Sequence, residues 1–207
     1  MPLKTFVKIS AVNNLSDARY CAGMYVNLMG FNLEEGNSNF VSPEKFTEIT
    51  AWLSGVDYVG EFEHAHPDTI LQTVQNYEVQ AIQISEEAHV QMLLHTGYTI
   101  ILKQSIQNND DLLHFIAIAP SLRENNVILL LEAGMASISD ELAGSIHHLS
   151  QQTPVLLGFG FNARNVEDVL ATTGVMGLAL EGGNEIKPGL RDFDELADIL
   201  EALEEED

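Results

Sequence analysis

Short apolar runs recur along the chain, each followed by a stretch in which apolar positions repeat every three or four residues. The runs are Phe6–Ser10, Tyr25–Phe31, Tyr58–Phe62, Ala81–Ser85, Thr99–Lys103, Val127–Glu132, Val155–Gly158 and Val175–Leu180. Their near-continuous hydrophobicity predicts parallel strands covered on both faces, since a strand with one wet face alternates apolar and polar positions. The intervening segments carry helix punctuation. Asn14-Leu15-Ser16-Asp17 and Asp192-Phe193-Asp194-Glu195 have the spacing of a capping box. Ser42-Pro43-Glu44 and His66-Pro67-Asp68 place a capping side chain before a first-turn proline, whose missing N–H is harmless there. Phe46, Ile49 and Leu53 make one apolar stripe, and Leu196, Ile199, Leu200 and Leu203 make another.

Eight such strand–helix units with short connections predict a single (β/α)8 barrel spanning residues 1–207, of minimal size and without inserted domains. A doubly wound open sheet is the alternative, and it usually closes with fewer units. The acidic finish, Glu201 and Glu204 to Asp207, places negative charge at a helix C-terminus, which the dipole disfavours, so that end is expected to fray.

In a barrel of this kind function sits at the carboxyl ends of the strands. The two-residue period puts Lys8 and Ser10 on one side of the first strand and Gln83 with Ser85 on one side of the fourth. Glu61 and Glu63 share a face at the third, Lys103 ends the fifth and Glu132 the sixth. Lys8 and Lys103 are expected as ion-pair partners of Glu61 or Glu132, without a metal. A cluster of Glu61, Glu132 and Glu181 holding a divalent or organic cation is the weaker alternative. Gly158-Phe159-Gly160-Phe161-Asn162 follows the seventh strand and Glu181-Gly182-Gly183 the eighth. Their backbone N–H groups are candidates to cradle a phosphate, although tight turns need glycine anyway and Glu181 opposes an anion. His64-Ala65-His66 reads as a turn with two solvated imidazoles rather than a chelating pair.

Charge narrows the partners. Nine basic residues face 31 acidic ones, a net charge of −22. Nucleic acid and anionic membranes both need Lys/Arg clusters, so neither is an expected partner. No apolar run is long enough to cross a bilayer. The start leads directly into a strand without a secretory or transit pattern, and a cytoplasmic protein is expected. The lone Cys21, on a helix face with Ala18 and Ala22, reads as a core thiol, and no cofactor is called for.

Several segments together resemble the phosphoribosylanthranilate isomerase family of tryptophan biosynthesis. They are VKIS and NNLSDA (7–10, 13–18), MGFN (29–32), FVSPE (40–44), YVGEF (58–62), AIQIS (81–85), PVLLGFGFNARNV (154–166) and KPGLRD (187–192). The resemblance implies the barrel fold and an Amadori rearrangement of a phosphorylated small molecule. It also implies that Ser10 stands where the family has a cysteine general base and Glu132 where it has an aspartate general acid. Asn39 stands at a substrate-gripping arginine, and Gln83-Ile84-Ser85-Glu86 at the family's QLHG. Ala133-Gly134-Met135-Ala136 replaces a glycine-rich loop, Gly158-Phe159-Gly160 replaces paired glycines, and Glu181 and Gly182 stand at phosphate-side serines. A serine hydroxyl does not ionise near neutral pH as a thiol can. The sequence therefore leads to the expectation that the family reaction has been lost and that the barrel holds a different small molecule. The alternatives are an active isomerase using Ser10 and Glu132, and a non-catalytic interaction protein.

Overall fold

The structure, a computed structural model, describes residues 2–182, 184–187, 190–192 and 194–205. The helix starts follow the capping chemistry. Asn14 accepts from the Asp17 N–H at 2.9 Å and Ser42 from the Lys45 N–H at 3.3 Å, while His66 Nδ1 accepts from the Asp68 N–H at 3.3 Å. Each of these bonds satisfies a backbone donor that the first turn leaves open. The chain runs β1 (Phe6–Ser10), α1 (Leu15–Gly23), β2 (Leu28–Asn32), α2 (Pro43–Thr50), β3 (Asp57–Glu61), α3 (Pro67–Val74), β4 (Ala81–Ile84) and α4 (Val90–Leu93). It continues with β5 (Thr99–Ser105), α5 (Asp111–Glu124), β6 (Ile128–Glu132), α6 (Asp140–Ser150), β7 (Val155–Leu157), α7 (Val166–Thr173) and β8 (Gly177–Glu181). A short antiparallel pair, β9 (Asn184–Lys187) and β10 (Leu190–Asp192), precedes α8 (Asp194–Ala202).

Strands β1 to β8 are all parallel and close into a barrel, with β8 pairing back onto β1. The (β/α)8 expectation is met. Most of the core lies between the barrel and its helices, where Ile9, Ile82, Leu102, Leu129 and Leu178 meet the helix stripes. Inside the barrel, Leu28, Val59, Ala81, Ile101, Leu130, Leu156 and Ala179 form a second apolar cluster, one residue from each of seven strands. The remaining strand, β1, contributes Lys8 at this level, in register with Leu28 and Ala179.

Three strand boundaries differ from the sequence reading by two residues or more, and several others by one. Tyr25 does not open β2: its φ is +59° and its N–H bonds to Ala22, so it belongs to the end of α1. The apolar Val26 beside it packs into the core from the connection rather than from a strand. Val175 and Met176 likewise connect α7 to β8, which begins at Gly177, where the Phe6 backbone leaves no room for a Cβ. β5 runs on to Ser105, because Gln104 and Ser105 still pair with Leu131 and Glu132. The β9–β10 pair had no counterpart in the hydrophobic pattern. Of the proposed capping box at 192–195, Phe193 lies outside the described residues, and Asp192 is in β10.

The acidic C-terminal segment is tied back to the N-terminus as far as Glu205. Leu203 O accepts from the Lys4 N–H, Leu3 bridges Glu204, and the Glu205 N–H reaches Pro2 O at 3.1 Å. Residues 206 and 207 lie outside the described residues.

Cys21 is fully buried, and burial, reinforced by the nearby Asp17 carboxylate, pushes its thiol up to about 12. The thiolate is the reactive form. The native protein at pH 8 is therefore expected to resist iodoacetamide, with full labelling only after denaturation. Rapid native labelling, followed by intact mass, would contradict the packed-thiol assignment.

Candidate small-molecule site at the barrel mouth

The strand registers place inward-facing residues from all eight strands near the carboxyl end of the barrel. Continuous pairing carries this face from Lys8 and Ser10 through Gly30, Glu61, Gln83, Lys103, Glu132 and Gly158 to Glu181. The apolar interior thus ends in a polar upper layer. Seven of the sequence candidates, Lys8, Ser10, Glu61, Gln83, Ser85, Lys103 and Glu132, share this inward parity.

Both ion pairs anticipated from the sequence form. The ammonium of Lys8, fully buried, lies 2.5 Å from Glu61 Oε1, and its second bond goes to Ser10 Oγ at 2.7 Å. The other Glu61 oxygen accepts from the Ala11 N–H at 3.0 Å. Burying two charges is unfavourable unless they pair and their remaining bonding capacity is met, and this geometry does both. Gly30 makes it sterically feasible: a Cβ there would stand 2.0 Å from Glu61 Oε1 and 3.0 Å from Lys8 Nζ. The second pair, Lys103 with Glu132, is longer at 3.3 Å and about one-third exposed on each side. It opens to the mouth, and Gly158 leaves room for the Glu132 methylene beside it.

Other candidates have plainer surroundings. Asn39 is half-buried, and its Oδ1 accepts from Asn13 Nδ2 at 3.2 Å, joining the loops after β1 and β2. The Ser85 carbonyl accepts from Gln104 Nε2 at 2.6 Å. Gln83 is 5 % exposed, and its Oε1 is buried without a hydrogen-bond partner. Among the described residues no group of three or more His, Cys, Asp or Glu is arranged to hold a metal ion, so Glu61, Glu132 and Glu181 do not converge. Glu34 was not foreseen. Its carboxylate accepts from the Glu63 and His64 N–H groups, organising the loop after β3. Its place beyond the last residue of β2 was the only sequence cue.

The glycine loops are more constrained than their composition implied. The Gly158 N–H is engaged by Leu131 O at 2.8 Å and the Gly182 N–H by Ser10 O at 3.1 Å. The Asn162 N–H bonds to Asn165 Oδ1, while Asn162 Oδ1 accepts from the Arg164 N–H. Gly160 has φ +79°, and a Cβ there would collide with Ile138 of the loop after β6, so packing explains that glycine by itself. Gly183 lies outside the described residues. A cavity of about 230 Å³ opens beside these loops, between the ends of β7 and β8 and the start of α8. Phe159, Phe161, Glu181, Gly182, Glu195 and Leu196 are among its lining residues.

A closed parallel barrel whose strand ends converge on paired ammonium and carboxylate groups defines a (β/α)8 protein with a candidate polar site at its mouth. The chain belongs to the N-(5'-phosphoribosyl)anthranilate isomerase family, whose model matches residues 7–202. It is 24 % identical over 200 residues to the N-(5'-phosphoribosyl)anthranilate isomerase of Thermotoga petrophila, covering 94 % of this chain and 96 % of that one. It is also 22 % identical over 204 residues to the tryptophan biosynthesis protein TrpCF of Helicobacter pylori, spanning 96 % of this chain but only 44 % of that longer protein. The crystal structure of the Thermotoga maritima isomerase superposes with a TM-score of 0.78 at 21 % identity, over 96 % of this chain and 98 % of that one. A second isomerase structure, TM-score 0.77, holds reduced 1-(o-carboxyphenylamino)-1-deoxyribulose 5-phosphate. These relatives are named as isomerases or as a tryptophan biosynthesis protein, and none of their names points to a lost reaction. Among the described residues no helix is long and apolar enough to cross a membrane.

Proposed function

We propose that the barrel mouth is an acid–base site running the isomerase reaction of its family, in the cytoplasm, on N-(5'-phosphoribosyl)anthranilate. The observation that carries this reading is the Glu132 carboxylate at the inward end of β6, 3.3 Å from Lys103; the family resemblance implies a general acid at this position. In an Amadori rearrangement a carboxyl group protonates the ribose ring oxygen as the ring opens. The C1'–O bond breaks as the anilino nitrogen forms a protonated imine at C1'. A base then takes the C2' proton, the C–H pair forming the C1'–C2' double bond while the imine pair returns to nitrogen. The enol becomes the ketone as its hydroxyl proton leaves and C1' gains one. Ser10 is a poor base, because its oxygen already accepts from the Lys8 ammonium. The carboxylate nearest to it by register is Glu181, the exposed Cα partner of Ser10 on β8. Glu132 and Glu181 thus supply two carboxylates on different strands for a reaction needing one donor and one acceptor.

A second reading, loss of the family reaction in favour of another small molecule, is favoured by the cavity beside β7 and β8. Glu181 and Glu195 line it, and the Gly158 and Gly182 N–H groups are already engaged. This surrounding suits a neutral or cationic ligand better than a phosphate. Two measurements decide between the readings. These are turnover of the substrate by the purified protein and complementation of a strain lacking the isomerase. Turnover at an enzymatic rate with growth supports the isomerase; no turnover and no growth support the second reading.

The net charge of −22 adds a kinetic signature. The substrate carries a phosphate and a carboxylate, so the field of the protein opposes its approach. Salt screens that repulsion, the Debye length falling from about 30 Å at 0.01 M to about 8 Å at 0.15 M. KM is expected to fall as salt rises over this range with kcat nearly constant. A KM that rises with salt would contradict repulsion as the controlling effect.

A further inference from the structure

The hydroxyl of Ser10 has one neighbour of known polarity. The Lys8 ammonium donates to it at 2.7 Å and, being an ammonium, can only donate. The Ser10 oxygen therefore serves as acceptor on that side and its own hydrogen points elsewhere. Among the described residues Ser10 Oγ donates to nothing, and the side chain is half-buried at the mouth. Lys8 is itself fixed by Glu61, which is fixed by the Ala11 N–H, so the direction of the Ser10 hydrogen is set by a buried chain of bonds. A second inward polar side chain of the upper layer has an unpartnered atom. Gln83 stands in register with Glu61 on β4, is 95 % buried, and its side-chain Oε1 has no hydrogen-bond partner among the described residues.

We propose that Ser10 is a charge-backed hydrogen-bond donor to an oxygen atom of the bound sugar, with Gln83 as a second polar contact, and that it does not act as a proton acceptor. The assignment rests on the reading of the mouth as an isomerase site. Accepting from an ammonium polarises the hydroxyl and makes it a better donor. A donor aimed in advance at the C2' oxygen stabilises the negative character this oxygen gains as the enol gives up its hydroxyl proton to become the ketone, and so favours that transition state over the ground state. Lys8 and Glu61 then act as positioning residues, because they reach the substrate only through Ser10.

The test compares Ser10→Ala, Ser10→Thr and Ser10→Cys with wild type, measuring kcat and KM across pH and the Kd of reduced 1-(o-carboxyphenylamino)-1-deoxyribulose 5-phosphate by calorimetry. Ser10→Ala is expected to lower kcat/KM about 10- to 100-fold, the worth of a charge-assisted hydrogen bond, without moving either limb of the pH profile. It should also weaken binding of the analogue. Ser10→Thr keeps a hydroxyl and should retain most of the rate, whereas Ser10→Cys, a weak donor, should resemble alanine. A rise in kcat for Ser10→Cys, or loss of a pH limb in Ser10→Ala, would make this position the base and overturn the proposal. Wild-type turnover with an unchanged Ser10→Ala variant would remove the donor role alone. Absence of wild-type turnover would remove the isomerase reading and this assignment together.

Discussion

Replacing Glu61 by alanine is expected to lower the stability of the folded protein by about 3–5 kcal/mol, the cost of breaking a buried ion pair from one side. Lys8 is fully buried inside the barrel, and Glu61 is its only carboxylate partner among the described residues. Without that carboxylate, the ammonium keeps the Ser10 hydroxyl, which carries no compensating charge. For a domain of this size the loss corresponds to a fall in Tm on the order of 10 °C. Changing both partners, Lys8→Met with Glu61→Leu, removes the charges together and should cost less than the sum of the single changes. Thermal denaturation of the three variants measures this coupling. A Glu61→Ala variant within about 1 kcal/mol of wild type, the range of exposed pairs, would mean that water reaches the ammonium and that the pair is not buried in solution. The same steric logic makes Gly30→Ala destabilising, since its Cβ would overlap the Glu61 carboxylate and crowd Lys8.

The pair itself could be anticipated from two features of the sequence, a lysine inside an apolar run and a glutamate closing another. Period-2 parity placed both on the inner face, and the registers bear this out. The same parity brought Gln83, Lys103 and Glu132 to the mouth, so much of the site was readable from strand pattern alone. What parity could not supply was reach. Lys8 sits at the level of the apolar cluster, yet its long side chain lifts the charge to Ser10 and Glu61, and only Gly30 leaves that path open. Backbone engagement was equally invisible. Gly158 and Gly182 looked like phosphate donors by composition, but their N–H groups bond to Leu131 and Ser10 carbonyls. The strand boundaries failed where apolar residues serve connections, as at Tyr25 and Val175, or where polar residues extend a ladder, as at Gln104. Hydrophobicity reports burial, and a connection can be buried without being a strand.

Glu132→Gln is expected to reduce kcat for the isomerase reaction by about 10²–10⁴-fold, the usual contribution of a positioned acid or base, with little change in Tm. The small stability effect follows from its setting, because the Lys103–Glu132 pair is about one-third exposed on both sides and such pairs contribute little to folding. Glutamine keeps the shape and one hydrogen bond but cannot deliver a proton, so the loss should fall on kcat with KM nearly unchanged. Glu132→Asp, which restores the shorter residue implied by the family resemblance, should keep most of the rate because the carboxyl survives at the same strand end. Lys103→Met isolates the contribution of the neighbouring charge. A Glu132→Gln variant that turns over at the wild-type rate would eliminate Glu132 as the acid. Among the inward-facing groups Glu181 would then be the carboxyl left exposed at the mouth to donate the proton.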